Sequence, residues 1–281
     1  MTNIVPDPTC LEARALYIEL LKKCLTFWLW EGADGSIQWN KPTLVQRAVG
    51  KAAKVIKGDF AKGPRLSTQE LRLQGRDWPL LAHTMIGLKR MDNLQFCVEE
   101  VIKNNVPGDL IETGVWRGGA TIFMRGILKA YGVADRRVWV ADSFEGLPRP
   151  NEEKYAADQD DKHYTMTFLA VSMEEVKSNF SRYGLLDDQV CFLKGWFKDT
   201  LPTAPTNQLA VARLDGDMYE STMDALVSLY PKLSVGGYLI VDDYGAVPAC
   251  RQAVEDYRSK MGIKEPIQDI DGLGAFWQRL Q

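Results

Sequence analysis

Between residues 110 and 243 five short β-rich runs alternate with helical stretches, and this alternation restricts the fold more than any other feature. The runs lie at 110–113, 138–142, 190–193, 210–215 and 238–243. Helical spacing fills 119–131, 172–183 and 219–232, and follows the last run at 248–261. Parallel neighbours need a crossover between them, so strand–helix alternation predicts a parallel sheet with helices on both faces. Ser172 with Glu175 makes a capping box, and Gly184 supplies a stop. Near the end, two short apolar runs (266–270 and 274–280) flank a DGLG turn. They predict an antiparallel hairpin at the sheet edge. The expected class is α/β.

The first 75 residues follow a different rhythm. Leu11, Ala15, Ile18, Leu21, Leu25 and Trp28 recur at three- and four-residue steps, predicting a helix over 11–31 with one apolar face. Gly, Asp and Ser break it at 32–40. Residues 41–65 hold seven bases and one acid. A solvated helix face or linker explains that stretch better than an arm for an anionic partner. Residues 80–102 read as one or two helices, with His83 a packing residue. The division expected is a helical extension over 1–75, serving as a lid or dimer contact, and a main domain over 76–281.

A net charge of −3 argues against a nucleic-acid partner. No apolar run approaches the roughly 18–20 residues that span a bilayer, so no membrane partner is expected. The first residues lack the pattern of a signal peptide. Five scattered cysteines without CxxC spacing suit neither a disulfide framework nor a zinc site. The expectation is a reduced, cytoplasmic compartment.

An open α/β sheet binds ligands beyond the carboxyl ends of its strands, so the strand tips are the residues to inspect. The first tip, 112–119 (ETGVWRGG), departs from GxGxxG, because Glu112 and Arg117 stand at two glycine positions. No GK[ST] follows, so it is not a P-loop. Glu112 at such a turn suits a ligand with a positive charge. Asp142, ending the second run, stands where nucleotide folds hold a ribose. Trp196, beside Gly195 at the third tip, can stack on an adenine or pack in the core.

The fourth and fifth tips carry Asp215, Asp217, Asp242 and Asp243. Four such carboxylates repel one another unless something neutralises them. The basic neighbour in sequence, Arg213, alternates away from Leu214. A hard divalent cation resolves the repulsion, and an oxygen-only donor set favours Mg²⁺, then Mn²⁺ or Ca²⁺. Asp217 with Glu220 resembles a capping box. The expected ligands are therefore Asp215, Asp242 and Asp243. An acid-rich polar stretch, 151–167, reads as a lid over the site. Its His163 and Tyr164 are candidate substrate contacts, and His163 is a rival base.

Five segments resemble the macrocin O-methyltransferase family: 112–119 (ETGVWRGG), 140–148 (VADSFEGLP), 195–202 (GWFKDTLP), 214–222 (LDGDMYEST) and 230–244 (YPKLSVGGYLIVDDY). Residues 75–93 and 16–26 are similar as well, whereas 27–74 show little likeness. The resemblance implies a Rossmann-like class I methyltransferase fold, with S-adenosylmethionine and Mg²⁺ as cofactors. It implies a sugar hydroxyl on a glycosylated natural product as the acceptor, and a homodimer. It places the methionine end of the cofactor in the first turn, at Glu112, Gly114, Trp116 and Gly118. It places the ribose at Asp142, with Ser143 and Phe144 beside it, the adenine near Trp196, and Met85 near the cofactor. It puts the metal on Asp215, Asp242 and Asp243. A carboxylate within hydrogen-bond reach can take the hydroxyl's proton, and Asp215 is the one expected to do so. Three other readings compete. They are a catechol-type phenolic acceptor, a glycosyltransferase using Asp215-Gly-Asp217 as a DxD motif, and a non-catalytic cofactor-binding scaffold.

Overall fold

The computed structural model describes residues 8–30 and 68–281. The expected break at 32–40 and the basic stretch at 41–65 lie outside the described residues. In chain order the elements are α1 (Pro8–Leu25), α2 (Thr68–Leu73), α3 (Leu88–Lys103), β1 (Asp109–Thr113) and α4 (Gly119–Ala130). Then come β2 (Val138–Asp142), α5 (Met173–Arg182), β3 (Val190–Lys194), α6 (Phe197–Thr200) and β4 (Leu209–Leu214). The chain closes with α7 (Tyr219–Leu229), β5 (Leu233–Val241), α8 (Pro248–Met261), β6 (Gln268–Asp269) and β7 (Ala275–Gln278).

The seven strands run in the order β3-β2-β1-β4-β5-β7-β6. The first five are mutually parallel, and β7 enters antiparallel between β5 and β6. The expected α/β class and edge hairpin are therefore what the chain forms. Strand order reverses beside β1, so a crevice opens at the tips of β1 and β4. Alternating strand residues serve two cores. Leu110, Val138 and Val140 face a cluster under α1, α3, α4 and α5. Ile111, Trp139 and Ala141 face the other, under α7 and α8.

Helix α1 stops earlier than its spacing suggested. The Thr26 hydroxyl donates to the Lys22 carbonyl at 2.9 Å, and Phe27 turns left-handed at φ 58°. A short 3-10 turn, Trp28–Trp30, follows. Ile18, Leu21 and Leu25 are buried as expected, but Leu11 and Ala15 are exposed and Trp28 is half-buried. The buried trio lies against α4, and residues 119–128 of that helix are buried all round.

Residues 80–87 are not helical, which corrects the helix expected over 80–102 and the placing of His83 within it. Their backbone groups bond to other elements instead. The His83 N–H donates to the Leu25 carbonyl, and the His83 carbonyl accepts from Gly119 N–H, both at 2.9 Å. The His83 ring pairs with the Tyr183 hydroxyl at 2.9 Å. Strand β5 begins at Leu233, five residues before the expected 238, because it bends through a bulge at Gly236 (φ 88°) instead of ending there.

This lacing leaves no space at Gly119. A Cβ there would stand 2.6 Å from the Thr84 Cβ and closer still to the His83 carbonyl. Gly119→Ala is expected to cost about 1–3 kcal/mol by overpacking. That corresponds to a melting temperature lower by roughly 2–10 °C. An unchanged melting curve would show that residues 80–87 are not held as described.

Candidate active site

The turn after β1 is built around a contact that admits only glycine. Gly114 adopts φ 81°, and a Cβ on it would collide with the Asp215 carbonyl. The tips of β1 and β4 therefore touch. Trp116, also left-handed at φ 47°, donates its indole N–H to the Phe168 carbonyl at 3.0 Å. Gly118 starts α4 at φ 85°.

Asp142 braces this turn from β2. Its Oδ2 accepts from Val115 N–H and its Oδ1 from Phe144 N–H, both at 2.7 Å. The Trp116 N–H bonds the same carboxylate, and the Ser143 hydroxyl stands 3.4 Å from Oδ1. Burial raises the Asp142 carboxyl, and these backbone donors pull it down again. Ser143 donates to the Gly146 carbonyl at 2.7 Å, which closes the next turn.

Two adjoining cavities occupy the crevice, about 290 Å³ and 220 Å³. Met85, Gly114, Trp116, Asp215 and Asp217 line both. Asp142, Ser143, Gly195 and Trp196 belong to the first. Glu112, His163, Asp242 and Asp243 belong to the second. Three of the expected contacts line neither cavity. Phe144 lines neither cavity, because its ring turns into the core, 6.2 Å from the Phe192 ring. Tyr164 lines neither, and its ring lies 5.0 Å from the Arg149 guanidinium. Gly118 shapes the turn without lining a cavity.

The acids meet as their spacing suggested. Asp215, Asp242 and Asp243 each offer an oxygen, and the three lie within 4.8 Å of one another. The expectation that no base balances them is corrected. Arg213 alternates away from Leu214 and so shares a face with Asp215. Its guanidinium, only 2% exposed, bonds Glu112 and Asp242, and Asp215 at 2.9 Å. Arg90, from the first turn of α3, takes the other oxygen of Asp242 and stands 3.2 Å from Asp271. Arg90 is 152 residues from Asp242 in the chain, so no local pattern announces it.

The charges then divide. Burial works to raise Asp242, but Arg213 and Arg90 outweigh it and hold the carboxyl below the usual range. Burial, then the charge of Asp242, pushes Asp215 up to about 8. Burial and the facing Asp217 and Asp215 push Asp243 well above the usual range, and its Oδ2 is buried without a partner. Two arginines therefore satisfy Asp242, while Asp215 and Asp243 stay short of positive charge. A hard cation fits that donor set. Glu112 supplies the matching observation for a cationic ligand. Burial lifts it to about 7 against the pull of Arg213, and its Oε2 is buried without a partner. An ammonium group would complete it.

Asp217 does not form the expected capping box. The first two amides of α7, Tyr219 N–H and Glu220 N–H, go to the Asp158 carboxylate at 2.7 and 3.0 Å. Asp217 turns left-handed at φ 54° and stands on the wall of both cavities. Its charge is felt at His163, whose Nδ1 lies 2.6 Å from Asp161 Oδ2. That hydrogen bond with Asp161, more than any other influence, raises His163 above the usual histidine value.

Arg213→Ala would leave Glu112, Asp215 and Asp242 without their shared partner. Breaking a buried ionic network from one side costs about 3–5 kcal/mol. The expected result is a melting temperature lower by roughly 6–15 °C. A shift under 2 °C would remove Arg213 as the keystone of the site.

The sequence profile described as Macrocin-O-methyltransferase (TylF) matches residues 14–279. A relative from Streptomyces olivaceus is 54% identical over 268 residues, covering 95% of this chain and 94% of its own. It is named 8-demethyl-8-(2,3-dimethoxy-alpha-L-rhamnosyl)-tetracenomycin-C 4'-O-methyltransferase. Demethyldecarbamoylnovobiocin O-methyltransferase from Streptomyces niveus is 61% identical over 212 residues, 75% of this chain and 81% of that one. Among solved structures, the O-methyltransferase NovP is 50% identical with a TM-score of 0.81, over 95% of this chain and 100% of that one. The class I methyltransferase fold implies S-adenosylmethionine as methyl donor. The chain belongs to the macrocin O-methyltransferase family and is an O-methyltransferase.

Proposed function

We propose that the chain methylates a sugar hydroxyl on a glycosylated natural product, with Mg²⁺ seated among Asp215, Asp242 and Asp243. The observation that carries this reading is the trio of carboxylates within 4.8 Å, two of them short of positive charge, beside the free oxygen of Glu112. The rhamnosyl group in the Streptomyces olivaceus relative's name supports a sugar acceptor. A catechol would present the same pair of oxygens to the site, and the rhamnosyl group in the relative's name favours the sugar. A homodimer is part of the same reading, and the exposed Leu16 and Leu20 on α1 are consistent with it.

Bound there, the cation supplies Lewis acidity that lowers the pKa of a hydroxyl beside it, and the cofactor supplies an electrophilic methyl. The residues of the chain do the rest. Glu112 receives the ammonium of the methionine end. Asp142 and Ser143, on the wall of the first cavity, would meet the ribose, and Trp196 would offer a ring to the adenine. Holding the hydroxyl in line with the sulfur–methyl bond supplies much of the rate, on the order of 7–11 kcal/mol. Asp215 is bonded to Arg213 at 2.9 Å, and in this reading it would serve as a ligand of the cation. Asp217 is free of Arg213 and of the helix cap, and it faces His163. We therefore assign the proton to Asp217, with His163 and Asp161 behind it.

Calorimetric titration of S-adenosylmethionine with Mg²⁺, and again with a chelator, tests the cofactor side. Binding in both conditions followed by methylation of a rhamnosylated acceptor supports the reading, and no binding in either overturns it. Asp217→Asn is expected to lower kcat by about 10²–10⁴-fold with cofactor affinity unchanged. A variant of full activity would return the proton to Asp215. Mg²⁺ affinity should rise with pH up to about 8. Below that value Asp215 holds a proton that the cation must displace. For one displaced proton, affinity weakens by up to about tenfold per pH unit. An affinity flat between pH 6 and 8 would remove Asp215 from the ligand set.

A further inference from the structure

We propose that Asp158 is a positioning residue, the group that docks the strap over the active site and thereby frees Asp217 for the cavity. The inference rests on the reading of Asp217 given above. Asp158 belongs to a 3-10 turn (Ala156–Asp158) within the polar strap, residues 151–169. It is 1% exposed, although residues on both sides of it, Ala156, Gln159 and Asp160, are exposed. Its two oxygens take the first two amides of α7, 61 and 62 residues away.

A helix leaves its first four N–H groups without partners, and a short polar side chain just before the helix normally accepts from them. Here the residues just before α7 are Asp217 and Met218. Met218 cannot cap, and Asp217 could. An Asp217 used as a cap would turn its carboxylate away from the cavity. The strap supplies the cap instead, and Asp217 at φ 54° stands on the cavity wall.

The same contact sets the far wall. The Asp161 N–H donates to the Asp158 carbonyl at 3.1 Å, and Asp161 Oδ1 accepts from His163 N–H at 2.8 Å. His163 thus reaches the second cavity through a chain of bonds that starts at Asp158. The Tyr155 ring, 5.5 Å from the Tyr219 ring, reinforces the dock. The strap's other end is held where Trp116 bonds the Phe168 carbonyl. One carboxylate therefore fixes the strap, the start of α7 and two side chains on the wall of the second cavity, Asp217 and His163.

The test uses the full chain with Asp158→Ala and Asp158→Asn. Three quantities are read. They are the rate at which trypsin cuts the Lys162–His163 bond, followed by mass spectrometry, the affinity for S-adenosylmethionine, and steady-state kcat and KM. The alanine variant is expected to be cut at least tenfold faster. Its cofactor affinity should stay within twofold, its acceptor KM should rise and its kcat should fall at least tenfold. The asparagine variant keeps one of two acceptor oxygens and should lie between. If the alanine variant does not fold, asparagine against the unaltered chain decides, with at least threefold faster cutting expected. Cutting at the unaltered rate overturns the proposal, and so does faster cutting with unchanged kinetic constants. If the unaltered chain methylates no sugar, the function reading has failed, and the trypsin comparison then decides the docking by itself.

Discussion

A single buried guanidinium joins the three strand tips on which the site depends. Arg213 rises from β4 and bonds Glu112 of β1 and Asp242 after β5, as well as Asp215 on its own strand tip. Burying so many charges is costly, and the geometry has to be good on every side to offset it. That requirement is why β1, β4 and β5 end in register, and why Gly114 must let the β1 tip touch the Asp215 carbonyl. The arrangement also sorts the acids by role. Asp242 is held by two arginines and stays charged. Asp215 and Asp243 are left wanting a cation, and Glu112 keeps one oxygen for a ligand.

Most of the frame was legible in the residues because it rests on short-range pattern. Alternation gave the parallel strands, the DGLG turn gave the edge hairpin, and the strand tips gave the acids, which do converge. What escaped depends on distant partners. Arg90 reaches Asp242 across 152 residues, and nothing near Gly87 or Leu88 hints at it. Asp217 and Glu220 have the spacing of a capping box, yet the α7 amides are taken by Asp158, so a correct local pattern led to the wrong partner. Residues 80–87 have helix-forming composition, but His83 bonds α1 and α4 through its backbone, and the Leu80 and Ala82 carbonyls accept from the Arg117 side chain. Arg213 was in plain view. It alternates away from Leu214, and that same alternation turns it toward Asp215.

The polar strap shows how a segment without a hydrophobic face can still be positioned. Its apolar content is low, and it makes few core contacts. Two directed hydrogen-bonding clamps hold it, one at Asp158 on α7 and one at Phe168 on Trp116. Both clamps end on elements that themselves line the cavities. Such a segment is held by a few polar contacts rather than by buried area, so it can open locally at lower cost than the core.

The joint at His83 has a consequence for how this scaffold can be recombined. Its N–H is bonded to the last turn of α1 and its carbonyl to the first residue of α4. The segment ahead of the sheet is thus wired, through one residue, to the helix that follows the β1 turn. A chimera that exchanged residues 1–75 at the apparent change of sequence rhythm would cut between two halves of that joint. The natural crossover lies after Gly119, so that α1, the 80–87 strip and the glycine that accommodates it travel together.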